Sequence, residues 1–176
     1  MKNIQLAHDD YQAKLQKYPL CFLAHNIEVP MNVGSLFRIA DALGVEHIYL
    51  TGASALPPNR KIKQTSRSTE KYVPHSYCES PVEVVGQLKS RGYKIVSLEI
   101  TSTSTDIRNF VVSGDEKICL ILGSENHGVS DELLALSDHT VHIPMQGHNS
   151  SMNIATACGI AVFEMIKAYL PVDASD

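Results

Sequence analysis

The segment from Ile154 to Tyr169 is apolar on almost every side. Ala155, Ala157, Cys158, Gly159, Ala161, Val162 and Phe163 leave only Glu164 and Lys167 to face water. A helix that is hydrophobic all round has to be buried on more than one face. This one therefore needs the core of its own chain on one side and a second surface, read here as a second subunit, on the other. Just before it, a strand expected over Thr140 to Met145 delivers the polar turn Gln146 to Asn153 to the helix start. Four backbone N–H groups lack intrahelical partners at such a start, so the joint reads as a small-molecule site.

The rest of the chain supplies walls for this joint. Ile4, Ala7, Tyr11, Leu15 and Tyr18 recur at close to helical spacing before Pro19, which predicts a short N-terminal helix over residues 1–18 packed on a single domain spanning 19–176. Leu20 to Ala24 reads as a buried strand, Glu28 to Gly34 as a turn, and Gly34 to Leu43 as a helix closed by Gly44. Ile48 to Leu50 is a second strand. Thr51 to Lys71 reads as a long loop, Tyr72 to Tyr77 as a short strand, and Pro81 to Ser90 as a helix with proline in its first turn. Lys94 to Ile100 and Ile118 to Leu122 are further strands. The loop Gly123 to Gly128 follows the second of these, and then a helix capped by Ser130. Strands alternate with helices, and several strands are continuous apolar runs. The fold class is thus α/β, a mostly parallel sheet with helices on both faces.

Ligands of such sheets collect at the carboxyl ends of strands. Three loops qualify: Asn32 to Arg38, Gly123 to Gly128, and Gln146 to Asn153. Gly123 to Gly128 has the outer spacing of a phosphate loop but lacks the Lys-Ser/Thr pair, which argues against an NTPase. No Gly-x-Gly-x-x-Gly follows the first strand, and no Gly-x-Ser-x-Gly occurs anywhere. What remains is a set of amides, hydroxyls, one arginine and one glutamate. Such a set suits binding, positioning and charge stabilisation in a group transfer whose cofactor carries its own reactivity.

Composition narrows the class further. At 176 residues, 44% apolar and 19% charged, the chain is an ordinary globular one. No charged-then-apolar leader opens it, and its longest mostly apolar run falls well short of the roughly 20 residues that span a bilayer. The expectation is a cytoplasmic protein without a membrane partner. Cys21, Cys78, Cys119 and Cys158 stand far apart and read as free thiols, and neither they nor the histidines show metal-ligand spacing. The formal net charge of -4 disfavours whole-surface attraction to nucleic acid. Arg60, Lys61, Lys63, Arg67 and Lys71 nevertheless gather five of the fifteen basic residues into twelve positions, with Glu70 the only acid among them. That cluster is either a solvated loop or a local phosphate-binding patch.

Asn32-x-Gly34-x-x-x-Arg38, Gly123-Ser124-Glu125-x-x-Gly128, and Ile143-Pro144-Met145 with Ser151-Met152-Asn153 resemble the three motifs of the SpoU (TrmH-type) branch of the SPOUT superfamily. These are S-adenosylmethionine-dependent RNA 2'-O-ribose methyltransferases. The resemblance covers residues 20 to 170 and keeps motif order and spacing. Met152 stands where the family often has leucine, and Ser150 where a longer residue is common. The resemblance implies a deep C-terminal trefoil knot, a homodimer whose subunits share the site, and tRNA or rRNA as the partner. A cofactor- and RNA-binding module of the same fold without turnover is the alternative. A small-molecule enzyme on a plain flavodoxin-like sheet is a third reading.

The same resemblance assigns roles. Leu98 or Glu99, with Gly123, Ile143, Met145 and Met152, would hold S-adenosylmethionine, and no metal is implied. Gly123 would let the backbone approach a flat ring; otherwise it merely ends a strand. Arg38 would clamp an RNA phosphate and stabilise the developing oxyanion, since a guanidinium with pKa above about 12 is a poor base. Its bland role is a surface ion pair with Asp41. Glu125 would orient Arg38 or a nearby backbone amide. Asn32, Ser151 and Asn153 would fix the loops and the substrate, or serve only as caps and turn residues. With RNA as partner, Arg60, Lys61, Lys63 and Arg67 become candidate phosphate contacts.

Overall fold

The computed structural model describes residues 3, 4 and 15–170. The expected N-terminal helix falls mainly on residues 5–14, which lie outside the described residues, as do 171–176. Seven strands form one sheet: β1 (Tyr18–His25), β2 (Val45–Thr51), β3 (His75–Cys78), β4 (Tyr93–Leu98), β5 (Thr105–Asp106), β6 (Lys117–Leu122) and β7 (His139–His142). Their order is β3-β2-β1-β6-β4-β7-β5, and every neighbouring pair is parallel. Helices α1 (Pro30–Ala42), α2 (Arg60–Ser66) and α5 (Ile154–Ile166) pack on one face, and α3 (Pro81–Ser90) and α4 (Asp131–Leu136) on the other.

The two central strands show why the sequence reads as unbroken apolar runs. Leu20, Phe22 and Ala24 of β1 join Ile118, Leu120 and Leu122 of β6 in the core under α1 and α5. The alternate residues, Cys21 and Leu23 with Cys119 and Ile121, fill the core under α3 and α4. Strands covered on both faces cannot alternate in polarity. Cys21 and Cys119 stand opposite each other in register; burial, with Cys119 beside it, pushes the Cys21 thiol well above its ordinary range. All four cysteines are free thiols.

Two boundaries differ from expectation in ways that matter. α1 starts at Pro30 rather than near Gly34. Proline fixes φ and lacks an N–H that would be orphaned at a first turn anyway, and the amides of Asn32 and Val33 already bond the Val29 carbonyl at 2.9 and 3.3 Å. Asn32 therefore lies within the first helical turn, not in the turn before it. The long loop expected over Thr51 to Lys71 contains α2, whose N-cap Asn59 accepts from the amides of Lys61 and Ile62, and a 3-10 turn at Thr69–Lys71.

Helix α2 lies hard against α1. A Cβ on Gly34 would sit 2.8 Å from the Ile62 carbonyl oxygen and 2.8 Å from the Thr65 Cβ, so only glycine allows this crossing. Gly34→Ala is expected to cost about 1 to 3 kcal/mol through overpacking. Urea denaturation checks it, and an unchanged midpoint would show that α2 can yield.

The turn between β1 and α1 depends on a neutral histidine. The side-chain carbonyl of Asn26 accepts from Ala53 N at 2.8 Å, which leaves its amide nitrogen to donate to His25 Nε2 at 2.9 Å. Nδ1 of the same ring then carries the proton and donates to Thr51 Oγ1 at 3.1 Å. Burial lowers the His25 pKa below its ordinary value of 6.5. Burial, with His75 and Arg91 nearby, does the same at His47. The unfolded chain thus binds more protons than the folded one just below pH 6.5, so stability falls as pH drops through that window. The urea midpoint is expected to be lower at pH 5 than at pH 7.5, with a smaller difference in His25→Asn, His47 keeping the remainder.

Candidate active site

The carboxyl ends of β4, β6 and β7 open into a cleft of about 650 Å³. Three segments wall it: 98–101 after β4, 123–129 after β6, and 142–154 between β7 and α5. Each of the residues Leu98, Glu99, Gly123, Ile143, Met145 and Met152 lines this cleft, and so do Glu125, Ser151 and Asn153. Residues more than 50 positions apart thus converge as the sequence motifs imply.

Side-chain bonds hold the walls in place. Asn153 caps α5, its Oδ1 accepting from Ala155 N at 3.0 Å and Thr156 N at 3.3 Å. Its Nδ2 meanwhile donates to Asn32 Oδ1 at 2.9 Å. Asn32 Nδ2 in turn donates to Glu125 Oε1 at 2.8 Å, an oxygen that also accepts from Val29 N at 3.4 Å. Asn153 is thus both a helix cap and a tie between loops, and the amides it caps are not free for a ligand. Glu125 orients Asn32 and a backbone amide, not Arg38. Among the described residues Ser151 makes no hydrogen bond to the other loops, so Asn153 alone forms the tie.

Glu99 lines the cleft and has a structural task besides. Its carboxylate accepts from Val129 N at 3.0 Å and Ile100 N at 2.9 Å, and its own amide donates to the Val141 carbonyl. It acts as a strut joining the ends of β4, β6 and β7. The loop it supports closes on itself, with reciprocal backbone bonds between Ser124 and Gly128 and Ser124 Oγ accepting from His127 N. Gly123 is needed for that closure: a Cβ there would lie 2.1 Å from the Gly128 carbonyl carbon and 2.2 Å from Val129 N. That close approach is by the chain's own backbone.

Arg38 is outside this cleft. It follows Asn32 by six residues, which on a helix means about 9 Å along the axis and about 120° around it. It is exposed, and no ion pair to Asp41 is present among the described residues. Arg60, Lys61, Lys63 and Arg67 stand on α2 and at its C-cap, also away from the cleft. Sequence reasoning missed Thr101 and His142, both cleft residues. Ser104 joins them, bonding His142 Nδ1 at 2.9 Å and the Thr101 backbone at 3.0 Å. The only signal was the polar run Thr101 to Thr105 at a strand's carboxyl end.

The walls permit one thing chemically: the backbone edges at 123–129 and 143–152, with the side chains of Leu98, Ile143, Met145 and Met152, can enclose a flat, partly polar ligand. Asn32→Ala removes both bonds of the central amide. It is expected to lower stability by about 1 kcal/mol and to speed amide hydrogen exchange across residues 123–129 and 150–156. Exchange unchanged in both segments would show that this tie does not hold the walls.

Comparison with known proteins agrees with this arrangement. A family model described as the SpoU rRNA Methylase family matches residues 19–163. A Staphylococcus epidermidis protein named for the TrmH family of tRNA/rRNA methyltransferases is 26% identical over 156 residues, 89% of this chain and 61% of that protein. The SpoU methyltransferase AviRb of Streptomyces viridochromogenes, solved with the cofactor AdoMet, superposes with a TM-score of 0.78 at 28% identity, covering 86% of this chain and 60% of that one. A structure concerned with 2-OH methylation of C/U34 on tRNA gives a TM-score of 0.75 at 26% identity, covering 85% of this chain and 95% of that one. The chain thus spans about 60% of the first two relatives. A match over residues 19–163 takes in all three motifs and every wall of the cleft, and the chain belongs to the SpoU rRNA Methylase family.

Proposed function

We propose that this protein is an S-adenosylmethionine-dependent methyltransferase that methylates a ribose 2'-hydroxyl of tRNA or rRNA. The observation that carries the proposal is the convergence of the six cofactor residues on one cleft, braced by the Asn153, Asn32 and Glu125 side chains. When bound there, the cofactor supplies a methyl group already activated on a sulfonium sulfur. The chain's own part is then to place and enclose the ligand and to manage charge on the attacking oxygen. Leu98, Ile143, Met145 and Met152 give apolar walls, and the closed turn of Gly123 to Gly128 gives a rigid floor.

In this proposal the enzyme is a homodimer, and Arg38 serves the cleft of the second copy. Support comes from its position outside its own cleft and from the outer face of α5, where Ile160 and Phe163 remain 39% and 57% exposed in the single chain. Both are large apolar residues that a monomer would leave in water. A guanidinium is a poor base, so Arg38 holds the RNA phosphate and the developing oxyanion rather than removing the proton. A trefoil knot belongs to the same proposal. It is supported by β7, which is laid down last yet lies between β4 and β5. A cytoplasmic location is proposed with it; among the described residues no helix is long and apolar enough to cross a membrane.

Transfer of radiolabelled methyl from S-adenosylmethionine to total tRNA or rRNA, read as 2'-O-methylnucleoside after digestion, tests the reaction. Arg38→Ala is expected to reduce transfer at least 100-fold while cofactor affinity stays within about twofold. The size follows from losing one preorganised charge contact to the transition state. Tight cofactor binding with no labelling of any RNA would favour the non-catalytic module instead.

A further inference from the structure

The surface made by α2, the turn Thr69–Lys71 and the edge strand β3 has no part in the cleft. Arg60, Lys63 and Arg67 occupy positions i, i+3 and i+7, so they share one side of α2 and span about 10 Å along it. They border two adjoining concavities of about 470 and 590 Å³ that have Arg60 and Lys63 in common, and the second reaches Lys71 and His75. Among the described residues none of these basic side chains is in an ion pair.

The turn that presents Arg67 is built by side chains. Arg67 and Ser68 both take left-handed backbone, φ 55 and 69, a conformation uncommon for residues other than glycine. Ser66 Oγ accepts from Ser68 N at 3.1 Å and donates to the Glu70 carboxylate. The single acid of the basic segment thus closes the turn instead of neutralising a neighbour.

Two exposed aromatic residues belong to the same turn and edge strand. Tyr72, directly after Lys71, is 74% exposed, and Tyr77 is 50% exposed. Tyr77 is two residues beyond His75 and so on the same side of β3, with its hydroxyl donating to the Gly52 carbonyl at 3.2 Å. A surface that presents both cations and uncovered aromatic rings fits a polyanion whose bases are free to stack. Duplex RNA has its bases already stacked and offers mainly backbone and groove shape.

We propose that this surface binds an unpaired stretch of the RNA, with Arg60, Lys63, Arg67 and Lys71 on phosphates and Tyr72 and Tyr77 against bases. This rests on the RNA reading above and adds the form of RNA that docks. The Gly34 crossing fixes α2 on the helix that carries Arg38. Arg38, four residues after Gly34, lies within about 40° of the α2-facing side, so the bound strand leads toward it.

Fluorescence anisotropy on the full chain saturated with S-adenosylmethionine tests the idea. The probes are a labelled 12-nucleotide RNA without self-complementarity and the same strand annealed to its complement. The single strand is expected to bind at least tenfold more tightly. Lys63→Ala and Arg67→Ala should weaken both probes and lower the single-strand salt slope by about 0.7 each. Tyr72→Leu and Tyr77→Leu should weaken the single strand about tenfold and leave the duplex unchanged, whereas Tyr72→Phe, which keeps the ring, should bind as the parent does. Equal or tighter duplex binding, or Tyr72→Leu and Tyr77→Leu variants that bind the single strand as the parent does, would overturn the proposal. Selective single-strand binding by a protein that methylates no RNA would sink the proposed reaction and leave this surface standing. Methyl transfer with RNA affinity indifferent to all these substitutions would do the reverse.

Discussion

The Asn153 side chain uses its two ends for two structural tasks. Its oxygen terminates α5 by accepting from Ala155 and Thr156, and its nitrogen reaches Asn32 in the first turn of α1. Asn32 passes the connection to Glu125. Two helices on the same face of the sheet and the loop after β6 are thereby referred to one another through two amides and a carboxylate. An amide suits this chain because it donates and accepts at once. Aspartate at 32 would place a carboxylate opposite Glu125, and serine at 153 would be too short to do both jobs.

The cleft is otherwise built from backbone. Glu99 holds Val129 from one side, a Cβ on Gly123 would meet the backbone of Gly128 and Val129, and one on Gly128 would meet the Glu99 carboxylate. A ligand with many hydrogen-bonding edges meets groups already fixed in place, which is the arrangement that keeps ordering costs low on binding. The apolar walls, Leu98, Ile143, Met145 and Met152, are side chains and can adapt.

Much of this was legible in the sequence, and the limits have physical causes. Helix α3 was bounded correctly because Ser80 and Pro81 mark its start, where Ser80 Oγ accepts from Glu83 N. β1 and β6 were legible because burial on both faces forces continuous apolar runs. α2 was not, because its seven residues contain one buried aliphatic, Ile62, and no period to detect. The cleft residues came from the motif resemblance, since no local pattern says that positions 98, 123 and 152 meet. Partners were harder still. Asn32 and Asn153 are 121 residues apart, and of the two partners expected for Glu125, Arg38 or a nearby backbone amide, it holds the amide of Val29 together with the Asn32 side chain. Sequence spacing reports which loop a residue is on; only packing decides what its side chain can reach.

Helix α1 carries that distinction furthest. Its first turn is tied to the cleft walls through Asn32, its Gly34 packs on α2, and its exposed side bears Arg38. Asn32 and Arg38 are about 120° apart on one helix, so the tie of Asn32 to Glu125 and Asn153 leaves Arg38 turned to another side. A bimolecular transfer needs both reagents held in near-attack geometry, and a large share of the barrier reduction can come from that placement. A helix seated by a glycine crossing on one side and by an amide tie on the other sets the relative position of two surfaces with little freedom. In a symmetric pair of such chains, each α1 would brace its own cleft through Asn32 and offer Arg38 to its neighbour. Any slackness at Gly34 or Asn32 would then act on the distance between the two reagents before it acted on the affinity for either.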